Sequence, residues 1–342
     1  MYNIRRLYIN KDSQIKKTWE ELLLKSNIQS ENTVEYTLGI YYKEDLIATG
    51  SIFQNIIKCV AVEKEHSGGT VFNMLVSELM SEVLDRGYAS CYIYTKEDTA
   101  DSFKYLGFKE IERVPGKLVF LEKSSKGFAQ FLETLKKNKK DAEKIAGIVM
   151  NANPFTNGHL YLVETAAREN DILHIFVLSE DLSLFPSNVR FDLVKQGTSG
   201  LKNVFVHETG DYMVSAKTFP SYFLKENDDV TYVQASLDAL IFKNHIAPSL
   251  GITHRYVGEE PLSPATNIYN QALKNVFGDS LKLTIIPRKE NNDEVISASR
   301  VRKLFKDNLM EQIKELVPLS TYNFLISDEG KKIQNKLIEK DV

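Results

Sequence analysis

Residues 145–166 read IAGIVMNANPFTNGHLYLVETA, and they decide the fold of the second half of the chain. The first six residues are apolar, which indicates a buried strand of the kind found in parallel sheets. Asn153 and Pro154 end that strand, and Thr156 is a suitable N-cap for the amphipathic residues that follow. The stretch therefore predicts a strand, a short turn and a helix.

Gly158 and His159 are not explained by this helix alone. A glycine in a first turn lowers helix stability, so we expect another group to approach the backbone closely there. The N–H groups at a helix start are available to an anion, and a His in that turn donates a charge-assisted hydrogen bond. The turn is therefore predicted to bind a phosphate.

The sequence after Lys144 alternates between strand-like and helix-length segments. Such alternation predicts a parallel sheet with helices on both faces, and ligands of such sheets bind beyond the carboxyl ends of the strands. The residues after Pro318 are expected to form a helical cap. The predicted strands are 145–150, 172–179, 203–208, 230–236, 254–259 and 281–287.

A second candidate phosphate element follows the last of these strands. Residues 296–302 read ISASRVR and open the next helix. The hydroxyls of Ser297 and Ser299 and the guanidinium of Arg302 are therefore expected at the same edge of the sheet as His159. Two such elements are more specific than either alone.

Composition and charge restrict the class of protein. A chain of 342 residues with 43% hydrophobic and 26% charged residues predicts two globular domains. The net charge of −3 gives no general attraction to nucleic acid or to acidic lipid. Cys59 and Cys91 lie in apolar runs and are interpreted as buried thiols. No signal peptide or membrane span is recognisable, so a cytoplasmic protein is expected.

The first half of the chain is rich in short β-like segments. Residues 34–43, 45–53, 56–62 and 89–95 are predicted strands, and a helix is predicted from Gly69 to Gly87. A charged segment follows and is interpreted as a solvated linker rather than a nucleic-acid site. Its first part is a candidate short helix that carries Phe128, Phe131 and Leu135. The predicted organisation is a domain over 1–125, a linker over 126–144 and a second domain over 145–342.

Both motifs resemble those of a known superfamily. TNGH is similar to the Thr/His-x-Gly-His signature of the nucleotidyltransferases, and ISASRVR resembles their Ile-Ser-Ser-Thr-x-Ile-Arg motif, with Ala298 and Ser299 at its third and fourth positions. The wider context, including SEDLSLFPSNVR, GDYMVSAKTFPSYFLK and RYVGEEPLSPATNIYNQAL, is similar to the citrate lyase ligase family. The stretch EHSGGT and its helix resemble the CoA-binding turn of the GNAT acetyltransferases, without the usual residues at Glu65 and Thr70.

The resemblance implies an α/β protein with a mixed-sheet, GNAT-like first domain and a Rossmann-like nucleotidyltransferase second domain. It implies that acetate and ATP form acetyl-adenylate, and that a CoA-derived thiol on the acyl carrier subunit of citrate lyase then takes the acetyl group. AMP and diphosphate are released. ATP is a substrate, Mg²⁺ is expected on its phosphates, and no covalent cofactor, protein-bound metal, nucleic acid or membrane is expected.

Site residues are carried over onto matching positions. Catalytic roles are expected for Thr156, His159 and Arg302, with Thr156 and His159 on the α and β phosphates and Arg302 and Ser299 on the β and γ phosphates. The expected nucleotide-binding residues are Asn153, Phe155, Gly158, Gly258, Glu259, Ile296, Ser297 and Ser299. The candidate acetate-pocket residues are Arg190, Ser215, Lys217 and Tyr222, for which an exposed helix Arg and core packing are the alternatives.

Gly68, Gly69 and Thr70 are candidates for holding the CoA-derived arm, and the alternative is a first domain retained only for stability or docking. Other activities also stay open. They are a tRNA cytidine acetate ligase, a pantetheine-phosphate adenylyltransferase and an acetyl-CoA-dependent N-acetyltransferase.

Overall fold

The structure, a computed structural model, describes residues 1–31, 33–67, 69–213, 219–224, 228–259, 264–287, 289–291 and 294–339. It divides into two compact units. The first comprises Met1–Phe131 and Phe219–Val233, and the second comprises Leu132–Thr218 and Gln234–Val342. The segment Phe219–Val233 thus groups with the first unit, although it follows the first half of the second unit in the sequence.

The first unit is built on a seven-stranded mixed sheet in the order β1-β2-β3-β4-β5-β7-β6. Its neighbours are antiparallel except for the parallel pair β4 and β5. The predicted mixed sheet is confirmed. The strands are β1 Tyr2–Arg6, β2 Tyr36–Tyr42, β3 Asp45–Phe53, β4 Ile56–Val62, β5 Ser90–Thr95, β6 Lys109–Val114 and β7 Leu118–Ser124. The helices that precede residue 126 are α1 Ser13–Lys25, α2 Thr70–Asp85 and α3 Glu97–Tyr105.

Helix α2 covers the sheet of the first unit with one apolar face. Its residues Leu75, Val76 and Leu79 have no exposed surface and join the core formed by β2 to β5. Strands β4 and β5 pair at Ile56–Tyr92 and Ile57–Ile93. Beyond these two pairs, the side of β4 that faces β5 borders a cavity. Val60, Ala61 and Val62 line this cavity together with the start of α2.

The second unit contains a five-stranded parallel sheet in the order β10-β9-β8-β11-β12. The predicted parallel sheet with flanking helices is confirmed. Strand β8 lies between β9 and β11, so the winding of the chain changes direction at β8, which is where ligands bind in such sheets. The strands are β8 Ile145–Met150, β9 Ile172–Val177, β10 Val204–Glu208, β11 His254–Gly258 and β12 Lys282–Ile286.

The remaining elements are mainly helices. A small hairpin pairs β13 Glu290–Asn291 with β14 Glu294–Val295, and Phe242–Ile246 forms a π-helical turn. The helices are α4 Gly127–Lys136, α5 Asn157–Glu169, α6 Ser187–Gly197, α7 Val230–Ile241, α8 Ala247–Leu250, α9 Pro264–Phe277, α10 Ala298–Lys306, α11 Met310–Lys314, α12 Leu319–Ile326 and α13 Asp328–Glu339.

One local prediction was wrong. Residues 230–236 belong to helix α7 and not to a strand, because Val233, Leu237 and Ile241 are spaced by four residues and are all buried. That helical burial outweighs the β-propensity of the first residues. The charged segment begins with the expected short helix, α4, whose Phe128 and Leu135 are buried. In the described part of the chain, no helix is long and apolar enough to cross a membrane.

Candidate functional site

A cavity of about 980 Å³ lies at the carboxyl ends of β8 and β11. Strands β8 and β11 pair at Ala146–His254 and Gly147–Arg255, and the cavity is bordered by the residues with which each strand ends. The sheet topology therefore positions it. The described lining is Val149, Met150, Asn151, Ala152, Asn153, Thr156, Gly158, His159, Tyr161, Leu162, Arg255, Val257, Gly258, Tyr269, Asn270, Ile286, Pro287, Lys289, Val295, Ile296, Ser297, Ala298, Ser299, Arg300 and Arg302.

Thr156 and His159 form a capping box at the start of α5. The Thr156 hydroxyl accepts a hydrogen bond from the His159 backbone N–H at 3.3 Å. His159 Nδ1 accepts one from the Thr156 backbone N–H at 3.1 Å and lies 2.9 Å from the Thr156 hydroxyl. Because Nδ1 accepts from a backbone donor, the neutral imidazole carries its hydrogen on Nε2. His159, which lines the cavity, therefore carries a hydrogen-bond donor on Nε2.

Gly158 brings the two predicted phosphate elements together. A Cβ atom at this position would lie 2.9 Å from the carbonyl oxygen of Ile296, closer than real Cβ atoms approach. The group that approaches the Gly158 backbone closely is therefore the Ile296 carbonyl, in the turn that precedes α10. Both Gly158 and Ile296 line the cavity.

The ISASRVR segment caps α10 and reaches back to the first turn. The Ser297 hydroxyl accepts a hydrogen bond from the Arg300 backbone N–H at 3.1 Å, as an N-cap does. The Arg302 guanidinium donates to the Asn153 carbonyl oxygen at 2.6 Å and to the Ser299 hydroxyl at 3.0 Å. Burial lowers the pKa of Arg302. The helix starts of α5 and α10 therefore border one cavity.

The charged side chains among the described lining residues are all cationic. Arg255, Lys289, Arg300 and Arg302 line the cavity, and no Asp or Glu is among its described lining residues. Two helix N-termini add positive ends of helix dipoles. The cavity is therefore suited to a polyanion such as a triphosphate.

Three of the expected site residues lie elsewhere in the second unit. Arg190 is fully buried and donates to backbone oxygens of Phe185, Leu178 and Glu180 and to Asn151. Phe155 is fully buried in the core beneath α5. Glu259 follows Gly258, and its backbone N–H donates to the Ile286 carbonyl oxygen at 2.8 Å. None of the three lines the described cavity, whereas Asn153 and Gly258 do.

Residues in α12 and in the segment between α11 and α12 support the first turn of α5. The backbone N–H of Asn157 donates to the Leu316 carbonyl oxygen at 2.8 Å, and its side-chain amide donates to the Glu315 backbone carbonyl oxygen at 2.8 Å. The Thr321 hydroxyl donates to the Phe155 carbonyl oxygen at 2.9 Å. These contacts fix the backbone on both sides of Thr156. Sequence reasoning did not assign Asn157 any role, because its partners are about 160 residues away.

Of the other candidates, Gly69, Thr70 and Tyr222 lie in the first unit. Gly69 and Thr70 line a cavity of about 870 Å³ between β4, β5 and the start of α2, and Tyr222 lines the same cavity. Gly69 is the N-cap of α2 with φ +86°. The structure therefore brings Tyr222 together with the CoA-arm candidates and not into the cavity of the second unit. Gly68, Ser215 and Lys217 lie outside the described residues.

The cavity of the second unit also contains residues that the sequence analysis missed. Arg255, Tyr269 and Lys289 are among them. A signal existed for Arg255, since an arginine inside a predicted strand of a parallel sheet is unusual. The described residues contain no group of three or more His, Cys, Asp or Glu side chains that would hold a metal ion.

Comparison with known proteins identifies the family. Two solved structures resemble parts of the chain. TmcAL of Thermotoga maritima bound with alpha-thio ATP has 14% identity and a TM-score of 0.38, over 56% of this chain and 57% of that chain. A probable acetyltransferase from Staphylococcus epidermidis has 15% identity and a TM-score of 0.29, over 36% of this chain and 99% of that chain. Scores this low carry no argument about activity.

The sequence matches are stronger. The model of the citrate lyase ligase C-terminal domain matches residues 145–325. A citrate pro-3S-lyase ligase of Escherichia coli is 38% identical over 323 residues, which are 92% of this chain and 92% of that protein. The cavity lies within the region that the family model matches, and this chain belongs to the citrate lyase ligase family.

Proposed function

We propose that this chain is an ATP-dependent ligase that activates acetate as acetyl-adenylate and transfers the acetyl group to a thiol on the acyl carrier subunit of citrate lyase. AMP and diphosphate are the other products. The single observation that carries the adenylation half is the cationic cavity at the switch point, bordered by the starts of α5 and α10. Family membership supports the choice of substrates.

The triphosphate of ATP is proposed to lie between the two helix starts. Thr156 and His159 would border the α and β phosphates, and Arg302 and Ser299 the β and γ phosphates. The contact between Arg302 and Asn153 supports this arrangement, because it holds the two turns at a fixed separation. Gly258 ends β11 at the same cavity and is proposed to border the nucleoside.

The first step needs no protein nucleophile. A carboxylate oxygen of acetate attacks the α-phosphorus, the bond to the β-phosphate oxygen breaks, and diphosphate leaves with the electron pair. Catalysis is then positioning and charge stabilisation. The Nε2–H of His159 is proposed to donate a hydrogen bond to the charge that develops on the bridging oxygen, a contribution worth about 10²-fold or more in rate.

Mg²⁺ is proposed to accompany the ATP. When bound to the phosphates, this ion neutralises part of their charge. The cavity lining offers cations, amides and hydroxyls, and its described residues include no carboxylate that would hold a metal directly. The ion would therefore be held mainly by phosphate oxygens and water.

The cavity of the first unit is proposed to hold the CoA-derived arm that carries the acceptor thiol. Its wall combines the part of β4 that does not pair with β5 and the start of α2, where backbone N–H groups suit a diphosphate. Tyr222 and Phe223 add apolar surface. The competing view is that the first unit serves only stability or docking.

Thr70→Glu tests the arm site without breaking the helix, because an acidic residue in a first turn suits the helix dipole. We expect weaker use of the lyase thiol and unchanged acetate-dependent exchange of diphosphate into ATP. Ser13→Glu places the same charge at the start of α1 and is the matched control. Unchanged thiol acetylation in Thr70→Glu would rule out the arm site.

The adenylation step is tested by exchange of labelled diphosphate into ATP, with and without acetate. Acetate-dependent exchange followed by acetylation of the free-thiol lyase is expected. Acetylation of tRNA cytidine instead would identify a tRNA acetate ligase, and consumption of phosphopantetheine with ATP would identify an adenylyltransferase. Transfer of an acetyl group from acetyl-CoA without ATP would identify an N-acetyltransferase whose active site lies in the first unit.

A further inference from the structure

Arg255 is a buried cation in the wall of the ATP cavity. Its side chain is 1% exposed, and it lines the cavity from strand β11. Its Nε and Nη1 atoms have no hydrogen-bond partner among the described residues. Buried donors of a charged group are destabilising when they are unpaired, so each calls for a partner, and a bound ligand is one such partner.

The rest of the guanidinium is held in place. It hydrogen-bonds Tyr269, whose hydroxyl donates to Asp238 Oδ2 at 2.6 Å. It also lies over the Phe242 ring, 4.5 Å from the ring centroid. These contacts fix the side chain and leave Nε and Nη1 for another acceptor. The arrangement is pre-organised rather than a mobile surface charge.

The surroundings suit a small ligand with one charge and one apolar end. Val257 projects from the same face of β11 as Arg255, and Val149 projects from the same face of β8 as Gly147, which is paired with Arg255. Both valines line the cavity. Asp238 already offsets part of the Arg255 charge through Tyr269, so a monoanion matches this position better than a polyphosphate does.

We infer that Arg255 binds the carboxylate of the short acid that is adenylated, with Tyr269 and Asp238 as positioning residues and the two valines beside the alkyl group. This inference rests on the proposed function. The carboxylate accepts hydrogen bonds from the unpaired donors while one of its oxygens faces the α-phosphorus. Arg255 also offsets the repulsion between two anions that must meet.

The test is the KM for acetate in the exchange of diphosphate into ATP. Arg255→Met is expected to raise that KM about 10- to 100-fold, because it removes charged hydrogen bonds, and to leave the affinity for a non-hydrolysable ATP analogue unchanged. Tyr269→Phe is expected to raise the KM less. Lys282→Met removes a charge from the adjacent strand β12 outside the cavity lining and is expected to have no effect.

The outcomes separate the two proposals. If the wild type shows no acetate-dependent exchange, the proposed function fails. If the wild type exchanges and Arg255→Met keeps the wild-type KM for acetate, only the role of Arg255 fails. Lost affinity for the ATP analogue would assign Arg255 to the phosphates instead, which also overturns the inference.

A second measurement does not depend on the variant folding. A crystal structure of the wild type with acetate and a non-hydrolysable ATP analogue is expected to show the carboxylate within hydrogen-bond distance of Arg255 Nε or Nη1. Acetate bound elsewhere in the cavity would overturn the assignment.

Discussion

The guanidinium of Arg302 donates a 2.6 Å hydrogen bond to the backbone carbonyl of Asn153, and this contact joins two turns that are about 150 residues apart in the chain. Arg302 also donates to Ser299 within its own turn. Arg302 therefore has a structural role and an electrostatic role. It holds the turn after β8 against α10, and it places positive charge at the cavity between them.

Arg302→Gln is predicted to lower the rate of acetate-dependent exchange by about 10²-fold, because it removes charge stabilisation in the transition state. The measurement is kcat in the exchange assay. Lys303→Gln removes a neighbouring exposed charge from the same helix and should stay close to wild type. Equal effects of the two substitutions would show that Arg302 acts only through general charge.

Gly158→Ala is predicted to destabilise the protein, although alanine favours helices. The new methyl group would meet the Ile296 carbonyl oxygen at 2.9 Å, so one of the two turns must move. We expect a lower melting temperature and a loss of exchange activity of at least tenfold, since small displacements of a site are costly. Gly200→Ala has no atom within 4 Å and is the control. A wild-type melting temperature for Gly158→Ala would contradict the close approach.

Arg190→Met is predicted to lower the free energy of unfolding by about 3 kcal/mol, because several buried backbone oxygens lose a charged donor together. Arg190 holds Asn151 by both its backbone oxygen and its side-chain oxygen, at 2.9 and 2.7 Å. Urea denaturation measures the loss. Arg168→Met on α5 is the control, because Arg168 is exposed. A comparable loss of unfolding free energy in both variants would argue against a stabilising role for the Arg190 hydrogen bonds.

Both thiols are predicted to be inert in the folded protein. Burial raises the pKa of Cys59 to about 12 and that of Cys91 to about 12. At pH 8, neither should react with iodoacetamide until the chain is denatured, because the thiolate is the reactive form. Rapid labelling of the native protein, read by mass spectrometry, would contradict this. The expected protection is consistent with an acceptor thiol that belongs to the partner.

The local motifs were readable because each is a helix start with its own cap. Thr156, Gly158 and Ser297 carry the signature of a turn within a few residues. Arg255 had one local signal, a charge in a predicted strand, and Tyr269 had none, since their meeting depends on the pairing of β11 with β8 and on the packing of α9. For the same reason, the sequence did not decide whether Arg190 is an acetate-pocket residue or an exposed helix residue. Its acceptors come from loops that only the fold brings together.

A buried histidine and its half-buried neighbour are predicted to make stability fall in mild acid. His174 Nδ1 lies 2.8 Å from His207 Nε2. Burial, with the neighbouring His207, lowers the pKa of His174 to about 3, and burial lowers that of His207 to about 4. The unfolded chain binds these protons near pH 6.5. The stabilisation is therefore fully present above pH 6.5 and is lost as the pH falls toward 4, by up to about 1.4 kcal/mol per pH unit for each histidine.

Urea denaturation at pH 7.5, 6.5 and 5.5 measures this dependence. The double variant His174→Leu and His207→Leu is expected to lose much less stability over that range than the wild type does, because it has no buried imidazole to protonate. His66→Leu leaves the pair intact and should keep the wild-type dependence. If the double variant loses stability with pH as steeply as the wild type, other groups titrate there and the pair is not the cause.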